Sequence, residues 1–296
     1  MKKKLILVIM ALSISLPMYA KNALVVIAHG APMEAWNKPV MQLEKDLQSK
    51  LNSTGIYGID YVRVALMEFS TPTVASVIKD CENLGIDTIF AVPLFIAPST
   101  HSEEDIPNLL GLQYNPKVIQ SLKDEKTELV KTNIKIVLGT TLCYSDVLKK
   151  IMLDRIKEMS KTPKEEGILL LAHGDFSQGG CGRTGIWEEM MSDICNYIKE
   201  NTDIDYATFN FVAMGFEFQK DINFILKKMD KSKKRILVQG VYISSTMQQM
   251  ARMAKLTAAD NQGFDVVYSD KAIIPQGSED ICNWIVSQAE FWAKNK

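Results

Sequence analysis

Leu24-Val25-Val26-Ile27-Ala28-His29-Gly30 decides the fold, because Ile168-Leu169-Leu170-Leu171-Ala172-His173-Gly174 repeats it at an offset of 144 residues. Each copy is an unbroken run of five apolar residues closed by His-Gly. A run that short, with no polar alternation, suits a strand buried on both faces, as in a parallel sheet covered by helices.

Other landmarks recur at almost the same spacing. Asp60-Tyr61 pairs with Asp205-Tyr206 at 145 residues, Met67-Glu68-Phe69 with Met214-Gly215-Phe216 at 147, and Val92 to Thr100 with Val238 to Thr246 at 146. A drift of three residues implies one duplicated unit with small loop changes. The first copy offers strands at Leu24–Ala28, Ile59–Leu66, Thr88–Phe95 and Ile134–Leu138. The second offers Ile168–Ala172, Tyr206–Ala213, Arg235–Tyr242 and Asp265–Tyr268. Amphipathic helical patterns lie between them, among them Val40–Leu51, Val74–Leu84, Trp187–Ile198 and Ile222–Met229. Strands alternating with helices predict an α/β fold of two similar doubly wound parallel-sheet lobes around a central cleft. The expected lobes are residues 21–160, carrying the metal site, and residues 161–296. The polar stretch Ser160-Lys161-Thr162-Pro163-Lys164-Glu165-Glu166 reads as the linker.

Residues 1–20 stand apart. Lys2, Lys3 and Lys4 precede an apolar run from Leu5 to Leu16, and Pro17-Met18-Tyr19-Ala20 ends on a small residue. This is the layout of a signal peptide cleaved after Ala20, and the run is shorter than the roughly 20 residues a membrane span needs. The expected mature chain is periplasmic or secreted, without stable membrane association. Losing these residues takes the charged side chains from 34 basic and 35 acidic to 31 and 35, a net charge of −4. That balance excludes the basic footprint of a nucleic-acid-binding protein. Composition is that of an ordinary globular chain, 47% hydrophobic and 23% charged. Cys81, Cys143, Cys181, Cys195 and Cys282 form no C-x-x-C pair, so zinc-ribbon and thioredoxin-like readings have no support. They read chiefly as small buried hydrophobes, with one disulfide compatible with an oxidising compartment.

In open parallel sheets, ligands bind beyond the carboxyl ends of the strands. His29 directly follows the first strand, Glu68 the second, and His101 lies six residues beyond Phe95 in a Pro/Ser/Thr loop. Two imidazoles and a carboxylate suit a borderline divalent ion such as Co²⁺, Fe²⁺, Ni²⁺ or Zn²⁺. Either histidine alone could equally cap a strand end; with only three in the chain, the pair points to a joint site. The second copy keeps His173 but has Gly215 and Met247 where the first has Glu68 and His101, so metal chemistry is expected in the first lobe.

Ala28-His29-Gly30, the Glu68 to Pro72 step, and Val92 to Pro107, where His101 precedes Asp105-Ile106-Pro107, together resemble the class II chelatases, which include the sirohydrochlorin cobaltochelatases. The resemblance implies two α/β lobes around a cleft and a lyase that inserts a divalent metal, Co²⁺ foremost and otherwise Fe²⁺ or Ni²⁺, into sirohydrochlorin or a related tetrapyrrole. The chemistry is of the anaerobic cobalamin-pathway type. It places the two metal-binding histidines on His29 and His101 and the active-site glutamate on Glu68. Where the family has Gly-x-His, this chain has Ser99-Thr100-His101, a departure that bears on loop freedom and substrate fit.

Two further residues are candidate contacts to the bound ring. His173 could meet a substrate carboxylate or ligate a metallo-tetrapyrrole axially. Arg183, in the loop Gly179-Gly180-Cys181-Gly182-Arg183-Thr184-Gly185, could pair with a carboxylate. The bland reading of each is a structural histidine and a solvated loop arginine. Met247, Met250 and Met253 could form a thioether stripe, although that spacing more often marks adaptable core packing. Export sits awkwardly with corrinoid synthesis. The alternative function is therefore a periplasmic carrier that binds haem, another tetrapyrrole or a metal ion without turnover. Oligomeric state is left open by the sequence.

Overall fold

The computed structural model describes residues 20–175, 183–212 and 217–296, with the backbone alone at 183, 184 and 217. Strands β1 (Asn22–Ala28), β2 (Tyr61–Leu66), β3 (Thr88–Pro93) and β4 (Lys135–Leu138) form one sheet. Strands β5 (Glu166–Ala172), β6 (Tyr206–Phe211), β7 (Arg235–Gly240) and β8 (Asp265–Tyr268) form the other. All pairings are parallel, in the orders β2-β1-β3-β4 and β6-β5-β7-β8. Every expected strand is present in both copies, and the duplication is a structural fact.

β1 and β5 are buried along their whole length, which is why their sequences are continuously apolar rather than alternating. Their side chains divide between layers. Leu24, Val26 and Ala28 share one core with Ile168, Leu170 and Ala172, whereas Ala23, Val25 and Ile27 face an outer core belonging to the first sheet. Leu169 and Leu171 do the same in the second lobe.

The helices are α1 (Glu34–Ser53), α2 (Val74–Asn83), α3 (Ile106–Leu109), α4 (Pro116–Asp124), α5 (Val147–Met159), α6 (Arg183–Glu200), α7 (Glu217–Lys228), α8 (Met247–Met253) and α9 (Ser278–Asn295). The buried faces of α1, α5, α6 and α9 fill the core between the two sheets, while α2, α3 and α4 cover the outside of the first and α7 and α8 that of the second. The last helix of each copy crosses over. α5 follows the first sheet yet packs on β7, and α9 follows the second sheet yet packs on β3 and α1. There Trp292 stacks on Phe90 at 5.3 Å and 11°, and Gln288 Oε1 accepts hydrogen bonds from the Thr140 amide and hydroxyl at 2.9 and 3.0 Å.

The stretch 160–166 differs from the loose linker its composition suggests. Glu166 opens β5 fully buried, and its carboxylate accepts from Ser160 Oγ (2.5 Å), the amides of Lys161 and Thr162 (2.8 and 3.1 Å) and Arg235 (2.8 Å). Pro and charge there serve a tied-down corner, because the helix before it already belongs to the second lobe's packing.

Cys81, Cys195 and Cys282 are free and buried, and Cys143 is free and half-buried; Cys181 lies outside the described residues. Burial pushes the Cys81 thiol up to about 11 and those of Cys195 and Cys282 to about 12, so they pack as inert hydrophobes. Met247 and Met250 are core residues of the second lobe and Met253 is exposed, so the three form no common stripe. Residues 1–19, carrying the expected signal peptide, lie outside the described residues. Among the described residues no helix is long and apolar enough to cross a membrane.

Candidate metal centre

A sheet ordered β2-β1-β3-β4 reverses direction between β1 and β3, and the crevice at such a switch point is where ligands bind. His29 leaves the end of β1. Glu68 is fixed beside it because the ladder continues past both strands: the Met67 amide donates to the Ala28 carbonyl at 2.8 Å and the Glu68 amide to the His29 carbonyl at 2.9 Å. Gly30 permits this close approach. It adopts φ +88°, and a β-carbon there would lie 2.2 Å from the Glu68 carbonyl oxygen.

His101 begins a π-helical turn, His101–Asp105, that runs into α3. Such turns are uncommon and cluster at functional sites. This one aligns His101 Nδ1 with Asp105 Oδ2 at 2.7 Å. Ahead of it, the Ser99 amide donates to Ser102 Oγ at 2.9 Å and the Glu103 amide to the Ser99 carbonyl at 2.9 Å. Ser99 is not in the left-handed region, so replacing the family's glycine brings no backbone strain. From the second copy, the buried Trp187 donates its indole N–H to the Pro98 carbonyl at 2.9 Å, holding the loop from across the cleft.

The three expected side chains converge. One ligating atom from each of His29, Glu68 and His101 lies within 4.8 Å of the other two, and the imidazole centroids are 4.6 Å apart at 71°. Among the described residues no other group of three or more His, Cys, Asp or Glu side chains is so placed. His29 Nδ1 lies 2.7 Å from the Gly30 carbonyl, which can only accept, so Nδ1 carries the proton and Nε2 offers its lone pair. His101 is oriented in the same sense by the Asp105 carboxylate, the usual partner of a metal-ligating imidazole.

Electrostatics separates the two rings. Burial lowers the His29 pKa, with the neighbouring His101 adding to the effect, so the ring is neutral and ready to ligate. For His101 burial also lowers, but the hydrogen bond and charge of Asp105, with the charge of Glu68, outweigh it and the pKa is raised. Burial raises the Glu68 carboxyl, making it a better proton acceptor than an exposed carboxylate.

The site opens into a cleft of about 630 Å³ lined by both lobes, within the range of small-molecule sites. Its walls are mainly apolar, with Trp36, Phe69 and Phe95 from the first lobe and Trp187, Tyr242 and Ile243 from the second. His173 also lines it, and its Nδ1 lies 3.1 Å from the Gly174 carbonyl, repeating the His29–Gly30 arrangement. Met247, standing where the first lobe has His101, is fully buried in the outer core and offers nothing to the cleft. Gly215 and the Arg183 side chain lie outside the described residues.

Asp105 and Trp187 are the two supports that strand-end reasoning missed. His-x-x-x-Asp spacing is a usable signal for the first; nothing local in the sequence marks the second.

The CbiX family model matches residues 23–159, the lobe that carries this centre. The sirohydrochlorin cobaltochelatase of Methanococcus maripaludis is 36% identical over 91 residues, covering 31% of this chain and 59% of that one, so the match spans little more than half of that relative's length. The enzyme of the same name from Saccharolobus islandicus is 25% identical over 132 residues, covering 45% and 91%. In fold, SirB from Bacillus subtilis with Fe3+ superposes with a TM-score of 0.64 at 15% identity, over 93% of this chain and 96% of that one. That likeness extends the shared architecture to both lobes. With its His-Gly strand end, paired histidines and glutamate in place, the lobe formed by residues 23–159 belongs to the CbiX family, within the class II chelatases.

Proposed function

We propose that this chain inserts a divalent metal ion, Co²⁺ foremost, into sirohydrochlorin or a related tetrapyrrole. The observation that carries the reading is the convergence of His29, Glu68 and His101, two imidazoles of which line an apolar cleft between the two lobes. The donor set of two imidazoles and one carboxylate accepts Co²⁺, Fe²⁺ or Ni²⁺. It is supported by the cobaltochelatase relatives and by a second likeness, SirB in complex with cobalt, with a TM-score of 0.62.

The reaction exchanges a metal ion for two pyrrole N–H protons, with no change of oxidation state. His29 and His101 present Nε2 to the incoming ion, with Glu68 as third ligand. As metal–nitrogen bonds form with the macrocycle, bonds to the imidazoles break, and the released lone pairs become bases for the two protons. Glu68, with its raised proton affinity, is a further acceptor. Asp105 keeps His101 in the ligating tautomer and stabilises the imidazolium that forms. Apolar walls suit a flat macrocycle, and His173 would meet its periphery from the other lobe. The layout of residues 1–20 supports export, with this chemistry performed outside the cytoplasm.

Anaerobic absorbance spectroscopy of residues 21–296, at substoichiometric amounts with sirohydrochlorin and Co²⁺, tests the reading beside the His29→Ala/His101→Ala double variant. Multiple turnovers above that control are expected. Failure with Co²⁺, Fe²⁺ and Ni²⁺, together with stoichiometric uptake of a preformed metallo-tetrapyrrole, would replace the chelatase by a carrier.

A further inference from the structure

Phe69 is 64% exposed at the edge of the cleft, directly after Glu68. An isolated exposed phenylalanine needs no explanation, but this one is also held in an unfavourable backbone state. Its φ is +62°, and the Ser70 amide donates to the Glu68 carbonyl at 2.7 Å, which makes Phe69 the centre of a positive-φ γ-turn. That turn is the rare and strained form, and a bulky side chain there is an outlier. The strain is fixed from both sides: Gly30 leaves room for the Glu68 carbonyl, and the Glu68 amide is tied to His29.

The chain thus bears a strained conformation whose result is an aromatic face in solvent. Folding gains nothing from that exposure. The ring lies 5.9 Å from the His29 imidazole, tilted by 37°, and Phe95 flanks His29 and His101 from within the cleft at 6.5 and 6.1 Å. Strained residues that the surroundings over-determine cluster at ligand clamps. A flat, conjugated macrocycle meeting the metal at His29 is the ligand that an aromatic ring at this place would suit, by offset stacking.

We infer that Phe69 is a substrate-binding residue whose exposed ring stacks on a tetrapyrrole face beside the His29–Glu68–His101 centre. The inference rests on the tetrapyrrole reading above and adds to it the residue that holds the ring in register with the metal.

Phe69→Gly and Phe69→Leu test it, with metal-free sirohydrochlorin and Co²⁺ titrated separately and melting followed in parallel. Glycine relieves the positive φ, so Phe69→Gly is expected to melt at or above the wild-type temperature while binding sirohydrochlorin about tenfold more weakly. Phe69→Leu keeps apolar bulk without a π face and should fall between them. Both should retain wild-type Co²⁺ affinity, which shows that Glu68 has not moved. Wild-type affinity for sirohydrochlorin in both variants would overturn the role of Phe69 and leave the tetrapyrrole reading standing. A parallel loss of Co²⁺ affinity would overturn it too, by showing that Phe69 acts on the metal ligands. A wild-type protein that binds Co²⁺ but no sirohydrochlorin would overturn both readings together.

Discussion

Asp105 Oδ2 lies 2.7 Å from His101 Nδ1, which leaves Nε2 as the nitrogen free to ligate beside Glu68 and His29. A carboxylate in that position fixes both the tautomer and the angle of the ring. Removing such a partner usually costs about 10–100-fold in metal affinity. Asp105→Ala is therefore expected to weaken Co²⁺ binding by that factor, and Asp105→Asn, whose amide oxygen can still accept the N–H, by less. Isothermal titration with Co²⁺ checks both; equal affinities in wild type and Asp105→Ala would refute the assignment.

Metal binding should weaken on acidification in two stages. Ligation needs neutral imidazoles, so protons compete with the ion. The His101 pKa is raised above 6.5, so loss of Co²⁺ affinity begins on that side of 6.5 as pH falls, approaching about tenfold per pH unit once one proton must leave. The His29 pKa is lowered, so only at more acid pH does a second proton steepen the loss towards about hundredfold per unit. Asp105→Asn removes the charge that raises His101 and should move the first onset to lower pH. A Co²⁺ titration series across the range reads both onsets, and an unmoved first onset in Asp105→Asn would sink this account.

How far the sequence reached follows from what each feature depends on. β1 and β5 were legible because burial on both faces demands continuous apolar runs, the other six strands as short β-rich apolar runs that recur in both copies, and the strand-end position of His29 and Glu68 follows from chain order alone. His101 was legible as the loop histidine after β3. The exchange of α5 and α9 between sheets was not, because an amphipathic stripe states that a face is buried without naming the sheet that buries it. By composition Glu166 reads as part of a linker, because a buried, fully hydrogen-bonded carboxylate is indistinguishable in sequence from a solvated one. Phe69 carries no signal, since nothing in Met67-Glu68-Phe69-Ser70 announces a positive φ on a phenylalanine.

Gly30 gives a sharp test of the strand-end geometry. Gly30→Ala adds a β-carbon 2.2 Å from the Glu68 carbonyl and imposes a side chain at φ +88°. The backbone term alone is about 1–2 kcal/mol, and the clash must also displace Glu68 or β1. Gly85→Ala, at φ +66° with open space around it, is the control that carries only the backbone term. Denaturant melts should show the larger loss for Gly30→Ala, together with loss of Co²⁺ binding that Gly85→Ala does not share.

Export is checked separately from chemistry. Expressed from Met1 in a bacterial host with a periplasm, the chain should be recovered from the periplasmic fraction with a mass that begins at Lys21. A full-length product confined to the cytoplasm would remove the case for a chelatase acting outside it.

Glu166 is expected to make the fold sensitive to acid. Burial alone would raise its carboxyl, but hydrogen bonds from Ser160, Lys161, Thr162 and Arg235 outweigh it and hold the pKa below its ordinary 4.5. A group whose folded pKa is depressed contributes stability that is fully present above its unfolded value and lost as pH falls through the folded one. Wild-type stability should therefore decline as pH drops below about 4.5. Glu166→Ala should lose about 3 kcal/mol at neutral pH, the lower end for breaking a buried pair, because Asp265 still pairs with Arg235 at 3.1 Å. Since the variant has already lost what acid removes, its stability should fall less steeply below pH 4.5, and parallel wild-type and variant profiles in urea would show that the corner at Ser160 to Glu166 does not govern acid unfolding.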